Sequence, residues 1–399
     1  MPKLFSLAAM KLLKTTWPIA ILLTLVWSGC HTDSWRQIGR LEEINDSIRV
    51  TYAPDKRVAV YDISLLYDKG QVKIIGETNQ PAALEVLEEQ LLLQEIRVDN
   101  QAITLPDSSV GEMAYALVNN SVCNIRSEAR HSAELATQAL LGMTLKVLKR
   151  TGEWYLVQTP DGYISWVDHG GVQLMTASEQ LRWSKSPQVI YLHNYGNVYA
   201  DAEESAIVSD VVLGDRLVAR QQSGDHVEVV FPDGRLGYVR QSEVTDFKTW
   251  KENVSATGDG VMGYALDLLG TPYLWGGTSA KGVDCSGFTK TAYLMNGYVI
   301  PRDASQQIHA GQVVDPALKF EGLAKGDLMF FGRAATDTTQ QRVTHVGLWM
   351  GDSTFVHASR NVRVSSVDPA SEFYDESNTN RYLGSRRYLG NERGISKWY

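Results

Sequence analysis

A stretch of the sequence returns at a fixed offset of 72 residues: Leu141-Gly142 as Leu213-Gly214, Gly152 as Gly224, Val157 as Val229, Pro160-Asp161-Gly162 as Pro232-Asp233-Gly234, and Val167 as Val239. A constant offset with glycines at the same turn positions specifies two copies of one module rather than a single continuous domain. Short alternating runs within a copy, such as Leu145-Lys146-Val147-Leu148 and Trp154-Tyr155-Leu156-Val157, separated by glycine-containing turns, predict a small β-barrel. The copies span residues 116–180 and 181–250 and leave two flanks to explain, 31–115 and 251–399.

The upstream flank reads as a small α+β module. Arg57 to Leu66 and Gln71 to Glu77 are expected strands joined by Asp68-Lys69-Gly70, and Pro81 to Gln94 an expected helix with Leu84, Leu87 and Leu91 on one face. No chemical motif stands out there, and the leucine stripe reads as core. At 399 residues with 44% hydrophobic and 21% charged side chains, the whole is a globular α+β multidomain protein. A net charge of −8 and the lack of any Lys/Arg block longer than two residues exclude nucleic acid as the expected partner.

The first thirty residues read as an export signal. Lys3, Lys11 and Lys14 give a basic region, Trp17 to Trp27 an apolar stretch interrupted by Pro18, and Ser28-Gly29-Cys30 a small-residue close. The segment resembles a lipoprotein signal, with Trp27 where leucine is usual. That resemblance implies cleavage before Cys30, acylation of its thiol, and a membrane-anchored protein of a bacterial cell envelope, in the periplasm or at the outer membrane.

The downstream flank carries the chemistry. Tyr273-Leu274-Trp275-Gly276-Gly277 precedes Asp284-Cys285-Ser286-Gly287-Phe288, and the residues after Gly287 read as a helix, so Cys285 falls near a helix N-terminus, where the dipole favours thiolate. His345 and His357 lie in two strand-like runs joined by Gly351-Asp352-Ser353. A hairpin centred on Gly351 makes the two histidines cross-strand neighbours, with Cβ atoms about 5 Å apart. The expected constellation is Cys285 as nucleophile, His345 as general base and His357 as the group that orients it. A zinc site is the other chemical reading, but neither Cys-x-x-Cys nor His-Glu-x-x-His spacing is present. With Cys30 acylated and Cys285 catalytic, Cys123 is left as a buried strand residue and no intrachain disulfide is expected.

Over residues 255 to 390 the chain resembles the NlpC family of papain-like cysteine peptidases. The resemblance rests on the two motifs above, Ile300-Pro301-Arg302-Asp303-Ala304 with Gln306, Lys325-Gly326-Asp327-Leu328, Thr344-His345-Val346-Gly347, and Val356-His357-Ala358-Ser359. The repeated modules in turn resemble bacterial SH3-like domains. Together they are similar to enzymes that hydrolyse the bond between γ-D-glutamate and a diamino acid, which implies a murein tri- or tetrapeptide substrate and no cofactor; the chain is expected to act as a monomer. In such enzymes an acidic residue and a tyrosine of the first SH3-like domain hold the free amine of the substrate's L-alanine. The resemblance implies those roles for Glu134 and Tyr163, with Glu128 an alternative acid nearby; the other reading has Glu134 solvating a loop and Tyr163 packed in its module. Asp284 and Ser286 are expected to touch the substrate, Tyr273 to donate to the oxyanion with the Cys285 N–H, and Arg302 to anchor the D-glutamate carboxylate. Their alternatives are a helix cap for Asp284, packing for Tyr273 and an ion pair for Arg302. Competing functions are a hydrolase of stems or crosslinks in intact wall polymer, an acylating or transferring enzyme in which an amine resolves the thioester, and a tethered wall-peptide binder without catalysis.

Overall fold

The computed structural model describes residues 38–68 and 71–398. The export signal, Cys30 and the Lys69-Gly70 turn lie outside the described residues. Two compact units divide the chain, a smaller one made of residues up to Pro54 together with Tyr61–Ile103, and a larger one made of Asp55–Val60 together with Thr104–Tyr399.

In the smaller unit a helix over 38–52 is followed by strands Tyr61–Asp68 and Gln71–Thr78, helix Pro81–Leu92, and strand Arg97–Asn100. The first two strands pair antiparallel, and the last pairs parallel to Gln71–Thr78. Proline at the first helical position needs no partner for its missing N–H, and the stripe of Leu84, Leu87 and Leu91 is buried against Ile63, Val72 and Ile74. The strand expected from Arg57 begins only at Tyr61. Asp55 takes the intervening backbone instead: its side chain accepts from the Arg57 N–H at 2.9 Å and its carbonyl from Val58 and Ala59 at 3.1 Å. Residues 55–60 thereby leave the small module and pack with the larger unit, where Val60 meets Leu105, Leu148, Leu156 and Ile164.

The repeat becomes two seven-stranded sheets with the same strand order. In the first copy the order is Val172–Met175, Tyr115–Val118, Thr144–Thr151, Trp154–Gln158, Ile164–Asp168, Val122–Arg126, Leu135–Leu140. In the second it is Val244–Asp246, Gln188–Tyr191, Arg216–Ser223, His226–Val230, Leu236–Arg240, Tyr195–Tyr199, Ile207–Val212. The repeated glycines make the same left-handed turns, with φ of 84° at Gly162 and 89° at Gly234.

The remaining domain sets helix Cys285–Leu294 against a six-stranded sheet ordered Gln312–Val314, Tyr382–Arg387, Leu328–Arg333, Arg342–Gly351, Thr354–Ser359, Asn361–Ser366. Phe288 and Ala292 of that helix share a core with Val346, Leu348, Val356 and Ala358 of the sheet, while Phe331, Trp349 and Phe355 occupy the opposite face. Strand Leu135–Leu140 of the first SH3-like module docks directly onto this domain. Gln138 accepts from the Thr278 N–H at 2.9 Å and the Ser279 hydroxyl at 3.1 Å, and its carbonyl accepts from the Thr278 hydroxyl. Gly276, with φ of 79°, comes so close that a Cβ there would stand 2.1 Å from the Leu135 carbonyl oxygen. Only glycine allows the first module to reach this loop.

Candidate active site

The local sequence around Cys285 explains its placement. Asp284 stops the preceding extended chain and caps helix Cys285–Leu294, its Oδ1 accepting from the Gly287 N–H at 2.7 Å. Cys285 is therefore the first residue of the helix, where backbone N–H groups have no partner within the helix. Asp284 does more than cap. Its Oδ2 accepts from the Gly276 N–H at 3.0 Å, Ser286 donates to Oδ1, and Arg302 grips both oxygens at 3.1 and 2.6 Å. Arg302 Nε donates to Thr137 of the first SH3-like module at 3.0 Å, and Nη1, which also holds Asp284, donates to Ser286 at 3.0 Å. Arg302 is 1% exposed, so this is a buried ion pair joining the nucleophile helix, the Gly276 loop and the neighbouring module. Asp284, Ser286 and Arg302, for which substrate contacts are expected, all line the cleft beside Cys285 and also bond to one another, so the helix cap and the ion pair named as alternatives are both present.

The histidine pair also differs from the simple hairpin. A bulge between Trp349 and Gly351 and left-handed Asp352 and Ser353 shift the turn, so that Leu348 pairs with Val356. Gly347 thus lies opposite His357; a Cβ on it would stand 3.1 Å from the His357 Cβ. His345 reaches its partner diagonally across that glycine. Its Nε2 lies 2.7 Å from His357 Nδ1, and His357 Nε2 lies 3.1 Å from the Ser365 hydroxyl and 3.9 Å from Asp375. If Ser365 accepts from His357 Nε2, then His357 Nδ1 accepts from His345 Nε2–H and the free lone pair of His345 is on Nδ1.

Electrostatics at the site favour neutral partners. Burial, then the Asp284 carboxylate, push the Cys285 thiol up to about 12, although backbone N–H groups of Val346 and Ser286 act in the other direction. Burial brings His345 down to about 4 and, with His345 beside it, His357 down to about 3. The thiolate expected from the helix dipole is thus outweighed in the resting state by desolvation. Among the described residues no hydrogen bond joins Cys285 Sγ to His345; such contacts commonly tighten only with substrate in place.

Cys285 opens into a cleft of about 490 Å³. Its walls include Tyr273 and Trp275, Glu134 and Tyr163 from the first SH3-like module, Asp303 and Ser305, and Thr344. Glu134 is exposed, and its carboxylate accepts from the Trp275 indole N–H. Glu128, the alternative acid, is instead paired with Arg130 at 3.0 Å and does not line the cleft. Tyr273 is half-buried and burial raises its phenol, which therefore stays protonated as a donor; burial likewise pushes Tyr163 up to about 12. The sequence assigns no expected role to Trp275, Ser365 or Arg57, and Asp303 is expected only as an alternative ion-pair partner of Arg302. Trp275 and Asp303 sat inside quoted motifs, whereas Ser365 and Arg57 carry no local signal.

The family models match in two places, the NlpC/P60 family over residues 270–387 and the bacterial dipeptidyl-peptidase Sh3 domain over 125–171. A γ-D-glutamyl-L-lysine dipeptidyl-peptidase of Bacillus cereus is 32% identical over 266 residues, 64% of this chain and 76% of the relative. The chain belongs to the NlpC/P60 family. Dipeptidyl-peptidase 6 of Lysinibacillus sphaericus is 28% identical, with 65% of this chain and 94% of that protein covered. A crystal structure of a Bacillus cereus NlpC/P60 family protein superposes with a TM-score of 0.58 at 26% identity, covering 69% of this chain and 99% of the other. This NlpC/P60 protein is a cysteine peptidase of the class that acts on cell-wall peptides, with an SH3 domain before its catalytic domain.

The ion pair beneath the nucleophile gives a direct expectation. Arg302→Met strands the Asp284 carboxylate in a buried site and should cost about 3–5 kcal/mol in urea unfolding, while the double variant Asp284→Asn/Arg302→Met should recover part of that loss. An unfolding midpoint unchanged in Arg302→Met would show that the pair does not hold the site together.

Proposed function

We propose that this peptidase hydrolyses the γ-D-glutamyl bond to a diamino acid in short murein peptides whose N-terminal L-alanine is free. The observation that carries this reading is Glu134, an exposed carboxylate of the SH3-like module on the same cleft as Cys285. A carboxylate there, on the same cleft as Tyr163, favours an ammonium and is left without its charge partner by an acylated amine. The relatives' names, which specify γ-D-glutamyl-L-lysine dipeptidyl-peptidase, support the same bond and the same two-residue product.

The chemistry follows from the neutral pair. His345 Nδ1 takes the thiol proton as Cys285 Sγ bonds to the γ-carbonyl carbon of D-glutamate, and His357 with Ser365 holds the ring that becomes imidazolium. The oxyanion faces the Cys285 backbone N–H and the Tyr273 phenol. Collapse breaks the C–N bond, His345 returns its proton to the departing amine, and a thioester remains. Water, deprotonated by His345, then releases L-Ala-D-Glu and restores the thiol. The acylated product carries the ammonium that Glu134 recognises, so the gate acts on the half retained in the thioester. Export and anchoring through Cys30 complete the proposal; fatty-acid labelling that persists in Cys30→Ser would remove that part.

Mass spectrometry of L-Ala-γ-D-Glu-L-Lys and its N-acetyl form tests the specificity. The free peptide should be cut to L-Ala-D-Glu and lysine, the acetylated one should resist, and Cys285→Ala should cut neither; equal cleavage of both peptides contradicts the amine gate. The pH dependence has a definite sign. His345 is held down, so it remains a neutral base until about pH 4, and kcat/KM should persist into acid and fall near that value. On the alkaline side kcat/KM for the free peptide should fall as its α-amine deprotonates near about pH 8. An acid limb between about pH 6 and 7, the range of an unperturbed imidazole, would contradict the buried-base account.

A further inference from the structure

Segment 55–60 lies outside both stretches matched by family models and far from the catalytic motifs in sequence, yet it belongs to the catalytic unit. Its carbonyl at Arg57 accepts from the Ile164 N–H at 2.7 Å, next to Tyr163, and Gln306 donates to Asp55 at 2.7 Å. Arg57 itself lines the cleft. Asp55 holds one edge of its guanidinium through Nε at 2.8 Å and Nη2 at 2.7 Å. Nη1 on the other edge donates to Asp303 Oδ2 at 2.7 Å and to the Ser305 hydroxyl at 2.9 Å. Asp303 and Ser305 are both cleft residues, and Arg302 Nη1 stands 3.8 Å from the second Asp303 oxygen.

We propose that Arg57 is a positioning residue for substrate: it fixes the Asp303–Ser305 wall of the cleft against which the acyl half, the L-Ala-γ-D-Glu portion, is bound. The inference rests on the function proposed above and extends it to a part of the chain upstream of the SH3-like modules. Two properties separate Arg57 from a plain structural tie. Its side chain is 32% exposed where that of Arg302 is 1%, so it sits at the cleft surface rather than beneath it. Its two edges are also given to opposite tasks, one to the strap and one to the wall. A planar fork held by a bidentate carboxylate sets both the direction and the distance of whatever its other edge carries. The neighbourhood of Tyr163 places this wall at the amine-binding end, away from the leaving diamino acid. Removing the fork frees Asp303 and Ser305 to turn and weakens ground-state binding, while Cys285, His345 and His357 keep their partners.

The test compares wild type, Arg57→Ala and Arg57→Lys in steady-state cleavage of L-Ala-γ-D-Glu-L-Lys, with the iodoacetamide alkylation rate of Cys285 followed in parallel. KM should rise about tenfold in Arg57→Ala, as for loss of one charge-assisted positioning contact, with kcat and the alkylation rate little changed. Lysine should not restore KM, because one ammonium cannot hold Asp55 and the Asp303–Ser305 pair together. An unchanged KM in Arg57→Ala, full restoration by lysine, or a parallel fall of kcat and alkylation would each overturn the proposal. A wild-type protein inert toward the peptide would instead overturn the functional reading on which it rests.

Discussion

The buried contact between Asp284 and Arg302 is the constraint on which the catalytic arrangement depends. One carboxylate caps the helix that begins at Cys285, receives the Gly276 N–H of the cleft loop, and is gripped at both oxygens by a guanidinium that also bonds Thr137 of the SH3-like module. Burying two charges is costly unless they are well hydrogen-bonded; here the guanidinium makes four hydrogen bonds and both Asp284 oxygens accept. The ion pair therefore acts as a locator. It sets the nucleophile, the loop bearing Trp275 and the module bearing Glu134 in one frame.

That frame has an electrostatic consequence. The same carboxylate that caps the helix stands next to the thiol and, with burial, keeps it protonated, while burial keeps both histidines neutral. A helix N-terminus alone argues for a thiolate, but the dipole contributes less than desolvation at a buried sulfur. Burial thus works against charge separation at rest, and in the proposed mechanism His345 takes the thiol proton as the bond to the carbonyl forms. With Ser365 as the acceptor, the chain from His345 through His357 to Ser365 sets the tautomer this requires.

What the sequence made legible was local. The repeated Pro-Asp-Gly turns specified two like modules, since a left-handed turn leaves a glycine in the sequence at each occurrence; the motif around Cys285 marked a helix start because its cap is one residue away. Contacts made across long sequence separation left no such trace. Arg302 has the residue type of a substrate anchor and lines the cleft, while its burial among Asp284, Ser286 and Thr137 depends on the packed modules. His345 and His357 were recognisable as a pair, yet the register that makes their contact diagonal depends on a bulge at Gly351 and on Gly347. Arg57 lay in a segment that alternation suggested was strand, and Asp55 diverted it.

The SH3-like module thus contributes a wall of the cleft, and under the proposed function selectivity for a free amine would be a property of two domains held in register. The measurement that tests this most directly is kcat/KM of Glu134→Gln for the free and the N-acetylated peptide. The account predicts a fall of about 10- to 100-fold for the free peptide, the worth of one charge-assisted hydrogen bond, with the acetylated peptide unaffected. Equal losses on both peptides, or none on either, would contradict it.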